Sequence, residues 1–271
     1  MNDQGRVRTA LVTGASGGIG LEIARLLARD GARVLMVARD EERLRRAAGW
    51  VRGESPTAET LTLAIDLAAP GAAARVHAWA AGETGAADAG AVDFLVNNAG
   101  AGAGGPFAAG DADADRAIVA LNVVTLMELT RPFLRSMIAA RRGRILNVAS
   151  MAAFLPGPLM AVYYASKAFV LSFSDALAEE CRGTGVTVTS LCPGPTITGF
   201  QRRAGIERAR HLRGPLVMQA GPVALAGYRG ALAGRRIVVP GLMNRAMVQG
   251  LRLVPRAAMA YFVRRANTAI E

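Results

Sequence analysis

Several residue types are scarce in this chain, and each shortage excludes something. Among 32 basic residues in 271 there is one lysine, Lys167. All the others are arginine, a bias that with the abundant alanine reflects base composition rather than design. Arginine serves at most surface sites that lysine serves, so a lysine kept against that bias marks a position needing a compact, titratable ammonium. The two cysteines, Cys181 and Cys192, form no CxxC and cannot build a disulfide framework, which points to a reducing, intracellular setting. Two histidines, His77 and His211, are too few and too far apart for a metal site, so no metal is expected. No basic leader followed by an apolar run opens the chain, and no signal peptide is expected. The longest uncharged stretch, 145–166, is interrupted by Asn147, Ser150 and Pro156-Gly157-Pro158, which argues against a membrane span.

What the chain does contain is a globular composition, 52% hydrophobic and 20% charged, with enough length for one large α/β domain. A net charge of +11 first suggests nucleic acid or an anionic membrane as partner. Its distribution changes that reading. Residues 1–200 hold 19 basic and 19 acidic side chains, whereas 201–271 hold 13 basic and 2 acidic. The body is neutral, the tail alone is basic, and no nucleic-acid partner is expected.

Short Val/Ile/Leu-rich runs alternate with amphipathic stretches. Strands are expected at 9–13, 32–38, 60–65, 92–97, 143–149, 186–192 and 236–239. Helices are expected at 18–30, 40–52, 70–83, 111–140, 163–182 and 222–233. Continuous apolar strands separated by helices predict an α/β fold, a Rossmann-like doubly wound parallel sheet of about seven strands with helices on both faces. The expected organisation is one domain over 1–240, with a lid at about 195–235, and a C-terminal extension over 241–271.

The first strand runs into Thr13-Gly14-Ala15-Ser16-Gly17-Gly18-Ile19-Gly20, which opens a helix. Glycines there let the chain turn tightly and let a pyrophosphate reach the unpaired N–H groups of the helix start. The same residues fit G-x-S-x-G, the nucleophile elbow of an α/β-hydrolase with Ser16 as nucleophile. That reading needs an acid and then a histidine downstream, and only His77 and His211 are available. After the second strand comes Val37-Ala38-Arg39, with no acid to bind a ribose 2′-hydroxyl and a guanidinium able to fork onto a 2′-phosphate. This favours NADP(H) over NAD(H). The plainer alternative is a solvated arginine paired with Asp40 or Glu42.

Tyr163 precedes the single lysine by four residues, which places both on one face of a helix. A cation beside a phenol favours phenolate, lowering its pKa toward working pH for proton exchange with a carbonyl or alcohol oxygen. Tyr164 reads as a packing neighbour. Ser150 ends the preceding strand, where side chains point into the ligand crevice of such sheets.

Together these pieces resemble the short-chain dehydrogenase/reductase family, of classical, NADP-preferring type, over roughly residues 5–240. The resemblance rests on Thr13-Gly14-x-x-x-Gly18-x-Gly20, Asn97-Asn98-Ala99-Gly100, Asn122, Ser150, Tyr163-x-x-x-Lys167 and Pro193-Gly194. It implies hydride transfer with Tyr163 as general acid/base. It also implies that Lys167 lowers the tyrosine pKa and binds the nicotinamide ribose. Ser150 would hydrogen-bond the substrate oxygen, and Asn122 would support a proton relay. Asp66 and Leu67 would contact the adenine end. Asn97, Ala99 and Gly100 would line the cofactor channel, and Pro193, Gly194, Ile197 and Thr198 would hold the nicotinamide end. A homodimer or homotetramer is implied as well. Gly17 stands where some NADP-preferring relatives carry a basic residue, so the NADP expectation rests on Arg39 and the missing acid. A second class of reading is a non-catalytic NADP(H)-binding sensor or scaffold, which need not keep Asn122, Ser150, Tyr163 and Lys167 together.

The segment 195–235 carries Phe200, Ile206, Leu212, Leu216, Val217 and Met218, which predicts an apolar substrate pocket for a hydrophobic ketone, aldehyde or secondary alcohol. Arginines 202, 203, 208, 210 and 213 form a basic lid surface or attract an acidic substrate. In the tail, Arg245, Gln249, Arg252, Arg256 and Arg264 share one helical face, with Met243, Met247, Leu251, Val254, Ala258 and Phe262 largely opposite, and Pro255 should kink or split the helix. Such a helix either packs on protein or lies in a membrane interface, making the chain cytoplasmic with possible peripheral membrane contact.

Overall fold

The computed structural model describes residues 7–85, 92–212, 214 and 216–268, with the side chains of His211 and Arg252 left out of the description. Arg213 of the lid lies outside the described residues.

Strand β1 (Thr9–Thr13) is buried along its whole length. Its side chains alternate in direction: Ala10 and Val12 enter one hydrophobic cluster, Leu11 another on the opposite face. Helix α1 (Gly18–Arg29), β2 (Arg33–Ala38), α2 (Glu41–Glu54), β3 (Thr60–Ala64), α3 (Ala72–Thr84) and β4 (Phe94–Asn97) follow. After β4 come α4 (Ala112–Val119), α5 (Thr125–Ala139), β5 (Gly143–Val148), α6 (Ala161–Glu180) and β6 (Val186–Leu191). The lid contributes β7 (Thr196–Ile197), α7 (Phe200–Arg203) and β8 (Met218–Gln219), then α8 (Ala220–Leu232) and β9 (Ile237–Val238). The main sheet has seven strands in the order β3-β2-β1-β4-β5-β6-β9, every pair parallel. Helices α1, α2 and α8 cover one face, with Leu27, Leu44 and Val223 in their cluster. Helices α3, α5 and α6 cover the other, with Val76, Phe133 and Leu177 in theirs. The expected doubly wound sheet is therefore the architecture, with boundaries moved by one or two residues.

The helix expected at 111–140 is not continuous. A π-helical turn, Ala120–Val124, separates α4 from α5 and turns Asn122 inward, where it is 1% exposed. Among the described residues, the run 112–139 is the one helix apolar and long enough to cross a membrane. Its Leu129, Phe133 and Met137 sit in the sheet-facing core. The stretch 145–166 resolves into β5, a short 3-10 turn at Met151–Phe154 and the start of α6.

The tail forms α9 (Leu242–Gly250) and α10 (Arg256–Asn267), with Pro255 as the N-cap of the second, so no single helical face spans it. The buried stripe of α10 is Met259, Val263 and Asn267, one position beyond the expected Ala258 and Phe262. Asn267 fastens the end of the chain: its Nδ2 donates to Pro158 O at 2.9 Å and its Oδ1 accepts from Tyr164 Oη at 3.2 Å. The tail thus packs on its own chain. Leu242, Leu253 and Tyr261 remain exposed.

Phe133 is fully buried, packed in the α3/α5 layer edge-on against His77 at 5.2 Å. Phe133→Ala should lower unfolding free energy by about 3–5 kcal/mol in a urea titration. A loss below about 1 kcal/mol would mean the layer is not packed this way.

Candidate active site

The sheet order reverses direction between β1 and β4, and the crevice opens at their C-terminal ends. Thr13, last in β1, closes this junction. Its Oγ1 accepts from the backbone N–H groups of Asn98 (2.9 Å) and Ala99 (3.0 Å) and donates to Val96 O. Asn98 answers by donating Nδ2 to Thr13 O (2.9 Å) and Gly14 O (3.2 Å). Two glycines are obligatory here. Gly14 has φ +66°, and a Cβ on Gly20 would lie 2.4 Å from Asn98 Nδ2. Thr13 and Gly20 therefore act behind the loop rather than on its ligand side.

Above this junction lies one long cleft of about 920 Å³. Its near end is lined by Gly14, Ser16, Gly17, Gly18 and Ile19, by Arg39, and by Asp66 and Leu67. Ala99 and Gly100 follow, then Ser150, Tyr163 and Lys167, with Pro193, Gly194 and Thr198 opposite. Besides Thr13 and Gly20, three expected cofactor or catalytic residues stand outside the cleft lining. Asn97 is buried beneath the cleft, donating Nδ2 to Thr130 Oγ1 (3.0 Å) and Asn147 Oδ1 (2.8 Å). Ile197 is 56% exposed and does not line the cleft, because alternation in β7 turns Thr196 inward and Ile197 out. Asn122 sits one layer back. Its Oδ1 accepts from Ala101 N, and its Nδ2 donates to Ala101 O and Ser166 Oγ, all at 2.9 Å.

Tyr163 and Lys167 share the buried face of α6. Lys167 Nζ lies 5.9 Å from the tyrosine ring centroid and donates to Val148 O at 2.8 Å. A Cβ on Gly100 would be 3.4 Å from both Asn122 Oδ1 and Lys167 Nζ, so the two groups face the same spot. Ser150 caps the turn after β5, accepting from Ala152 N at 3.1 Å. Burial pushes the Tyr163 phenol up to about 12, opposed by the neighbouring Ser150 hydroxyl. Burial pushes the Lys167 ammonium down to about 8. Burial is the largest cause in both groups, and it disfavours the charged form of each.

The far end of the cleft is apolar. Phe200, Ile206, Leu212 and Leu216 of the lid line it as expected, while Val217 and Met218 do not. Phe200 lies 5.3 Å from the Tyr163 ring. The tail supplies the remaining wall through Met247, Leu251, Val254, Met259, Phe262 and Val263. Arg43 and Arg203 also line the cleft, near Arg39. Sequence reasoning gave no site role to Thr196 or Arg43, quoted Asn98 only as part of its motif, read Arg203 only as basic lid surface or attractor of an acidic substrate, and placed the tail's apolar face on protein or membrane rather than on the cleft. Arg43 lies one helical turn beyond Arg39. Arg39 has no carboxylate partner among the described residues, since Asp40 caps α2 through Arg43 N (2.9 Å) and Glu42 pairs with Arg46. Ser16 faces the cleft, and His77 packs against Phe133 in the opposite layer, so the hydrolase reading lacks its histidine there.

The family model for short chain dehydrogenases matches residues 8–209. The ketoacyl reductase HetN of a Nostoc species is 36% identical over 188 residues, 69% of this chain and 63% of that protein. A short-chain dehydrogenase from Sphingobium yanoikuyae, solved in complex with NADPH, superposes with TM-score 0.79 at 31% identity, covering 94% of this chain and 98% of that one. A 7beta-hydroxysteroid dehydrogenase structure superposes with TM-score 0.83 at 26% identity, covering 97% and 99%. With its sheet order, its Tyr163–Lys167 face and this match over most of its length, the chain belongs to the short chain dehydrogenase family and is an oxidoreductase enzyme.

Proposed function

We propose that the chain is an NADP(H)-dependent oxidoreductase that interconverts a bulky hydrophobic ketone or aldehyde with its alcohol. One observation carries this reading: Ser150, Tyr163 and Lys167 sit between a polar, arginine-bearing end and an apolar end of one continuous cleft. The polar end fits a dinucleotide phosphate. The glycine loop opens α1 toward it, and Arg39 faces it without a carboxylate. The apolar end, walled by lid and tail, suits a steroid-sized or acyl substrate. The names of HetN and of the 7beta-hydroxysteroid dehydrogenase point the same way.

Gly14 to Ile19 and Arg39 would hold the phosphates, Asp66 and Leu67 the adenine end, and Gly194 and Thr198 the nicotinamide end. Bound NADP(H) supplies a hydride to the substrate carbon, or takes one from it. Tyr163 donates its proton to the carbonyl oxygen in reduction, and Ser150 donates a hydrogen bond to the same oxygen, so developing charge is met by two fixed donors. Lys167, held by Val148 O, carries a positive charge beside the phenol below about pH 8 and would hold the nicotinamide ribose. Asn122 is a positioning residue. It clamps the Ala101 backbone on the cleft wall and presents Oδ1 beside Lys167, as a proton relay requires.

Tyr163→Phe should abolish carbonyl reduction in a ketone panel read by absorbance of NADPH. The dissociation constant for NADPH should stay within about threefold. Retained turnover sinks the mechanism.

A phenol with a pKa near 12 is protonated throughout the working range, so the acid role is served without titration. Lys167 loses its charge as pH rises through about 8. Reductive kcat/KM should therefore be flat below pH 8 and fall above it. A reductive rate that climbs through pH 8 would remove Lys167 from the account.

Truncation after Pro240 should raise KM for bulky ketones at least tenfold and leave NADPH binding unchanged, because the tail walls only the apolar end. Asn267→Ala, which merely unfastens α10, should move KM the same way by a smaller factor. Liposome flotation of the full chain tests the alternative role of the tail. Unchanged KM with flotation lost on truncation would assign the tail to membrane rather than substrate.

A further inference from the structure

The three arginines at the polar end come from different parts of the chain. Arg39 follows β2, Arg43 lies one turn into α2, and Arg203 ends the lid helix α7. All three line the same cleft as Gly17 and Gly18. The lid reaches the glycine loop directly: a Cβ on Gly18 would lie 3.0 Å from the Thr198 methyl. From there Arg203 folds back across its own loop, with Nη1 2.8 Å from where a Cβ on Gly199 would stand. Arg43 Nη2 approaches Gly17 from the body side, 3.6 Å from the corresponding point.

None of the three has an acidic partner among the described residues, although the same helix pairs Arg45 with Glu41 and Arg46 with Glu42. Burial, then Arg43, Arg39 and Arg202, lower the Arg203 pKa, so the cluster repels itself. An anion placed among these guanidinia relieves their mutual repulsion, and a phosphate dianion accepts several at once.

We infer that Arg203, carried by the lid, binds the 2′-phosphate of NADP(H) together with Arg39 and Arg43, so that the phosphate draws the lid onto the body. The inference rests on the NADP(H) reading above and adds a second consequence. With a 2′-hydroxyl in place of the phosphate, the arginines repel and the lid is held less firmly. Cofactor identity therefore sets closure of the substrate end as well as cofactor affinity.

The test uses nucleotide fragments, which report binding without turnover. Adenosine 2′,5′-bisphosphate and adenosine 5′-monophosphate are titrated calorimetrically into the full chain, into Arg203→Gln and into Arg39→Gln. Arg203→Gln should weaken the bisphosphate about tenfold or more, as loss of a charged hydrogen bond does, and leave the monophosphate within twofold. Trypsin digestion adds the lid readout: the bisphosphate should protect the 202–210 segment in the wild type but not in Arg203→Gln. Equal weakening of both nucleotides would place Arg203 on the 5′ side and overturn the inference, as would no weakening of either. If the unaltered chain does not prefer the bisphosphate, the NADP(H) reading itself fails. If it prefers the bisphosphate, Arg39→Gln abolishes that preference and Arg203→Gln does not, only the lid role fails.

Discussion

The clasp between Thr13 and Asn98 holds together everything the cleft depends on. A parallel sheet whose order reverses between β1 and β4 leaves a gap at the ends of those strands, where backbone groups would be unpaired. Thr13 Oγ1 satisfies two N–H groups on the far side, and Asn98 returns the bond to the carbonyls of Thr13 and Gly14. The clasp sets the spacing of the two loops. It packs Gly20 against Asn98 so tightly that no side chain fits, and so aims the start of α1 into the crevice. The position of the glycine loop and the adjoining backbone wall follow from one small set of hydrogen bonds.

The proton-handling groups depend on a second constraint, burial. Tyr163 and Lys167 share a face of α6 packed into the body. The cost of desolvating a charge raises one pKa and lowers the other. The phenol is thereby kept protonated, and the lysine is left titrating near 8. The π-helical turn at Ala120–Val124 belongs to the same design. It breaks the regular ladder so that Asn122 can tie the Ala101 backbone to Ser166 beneath the lysine.

The strands were legible because each is a continuous apolar run between turn residues. The glycine loop, Ser150 and the Tyr163–Lys167 pair were legible because short-range spacing dictates their geometry. Thr13 and Asn97, expected at the cofactor, lie outside the cleft lining, because the motif that contains them also contains the scaffold supporting it. From sequence the two roles look alike, and only burial separates Asn97, under the sheet, from Asn98, at its edge. Ile197 was misplaced by one residue of strand alternation. The tail was read as a helix with a basic face, and Pro255 was rightly taken as an interruption. Its inward stripe is offset by one because the second helix starts afresh at Pro255.

The chain alone determined its alternating architecture, its dinucleotide loop and the pairing of one tyrosine with its single lysine. All three rest on periods of two to four residues that backbone geometry enforces locally. Tertiary structure decided which polar residues face ligand and which face core. It decided that Arg203 lines the same cleft as Arg39 and Arg43, at least 160 positions earlier in the chain, and that the tail walls the cleft. It also decided the direction in which the tyrosine and lysine titrate. Each of these depends on which surfaces lose water when distant segments pack, and no local spacing encodes that.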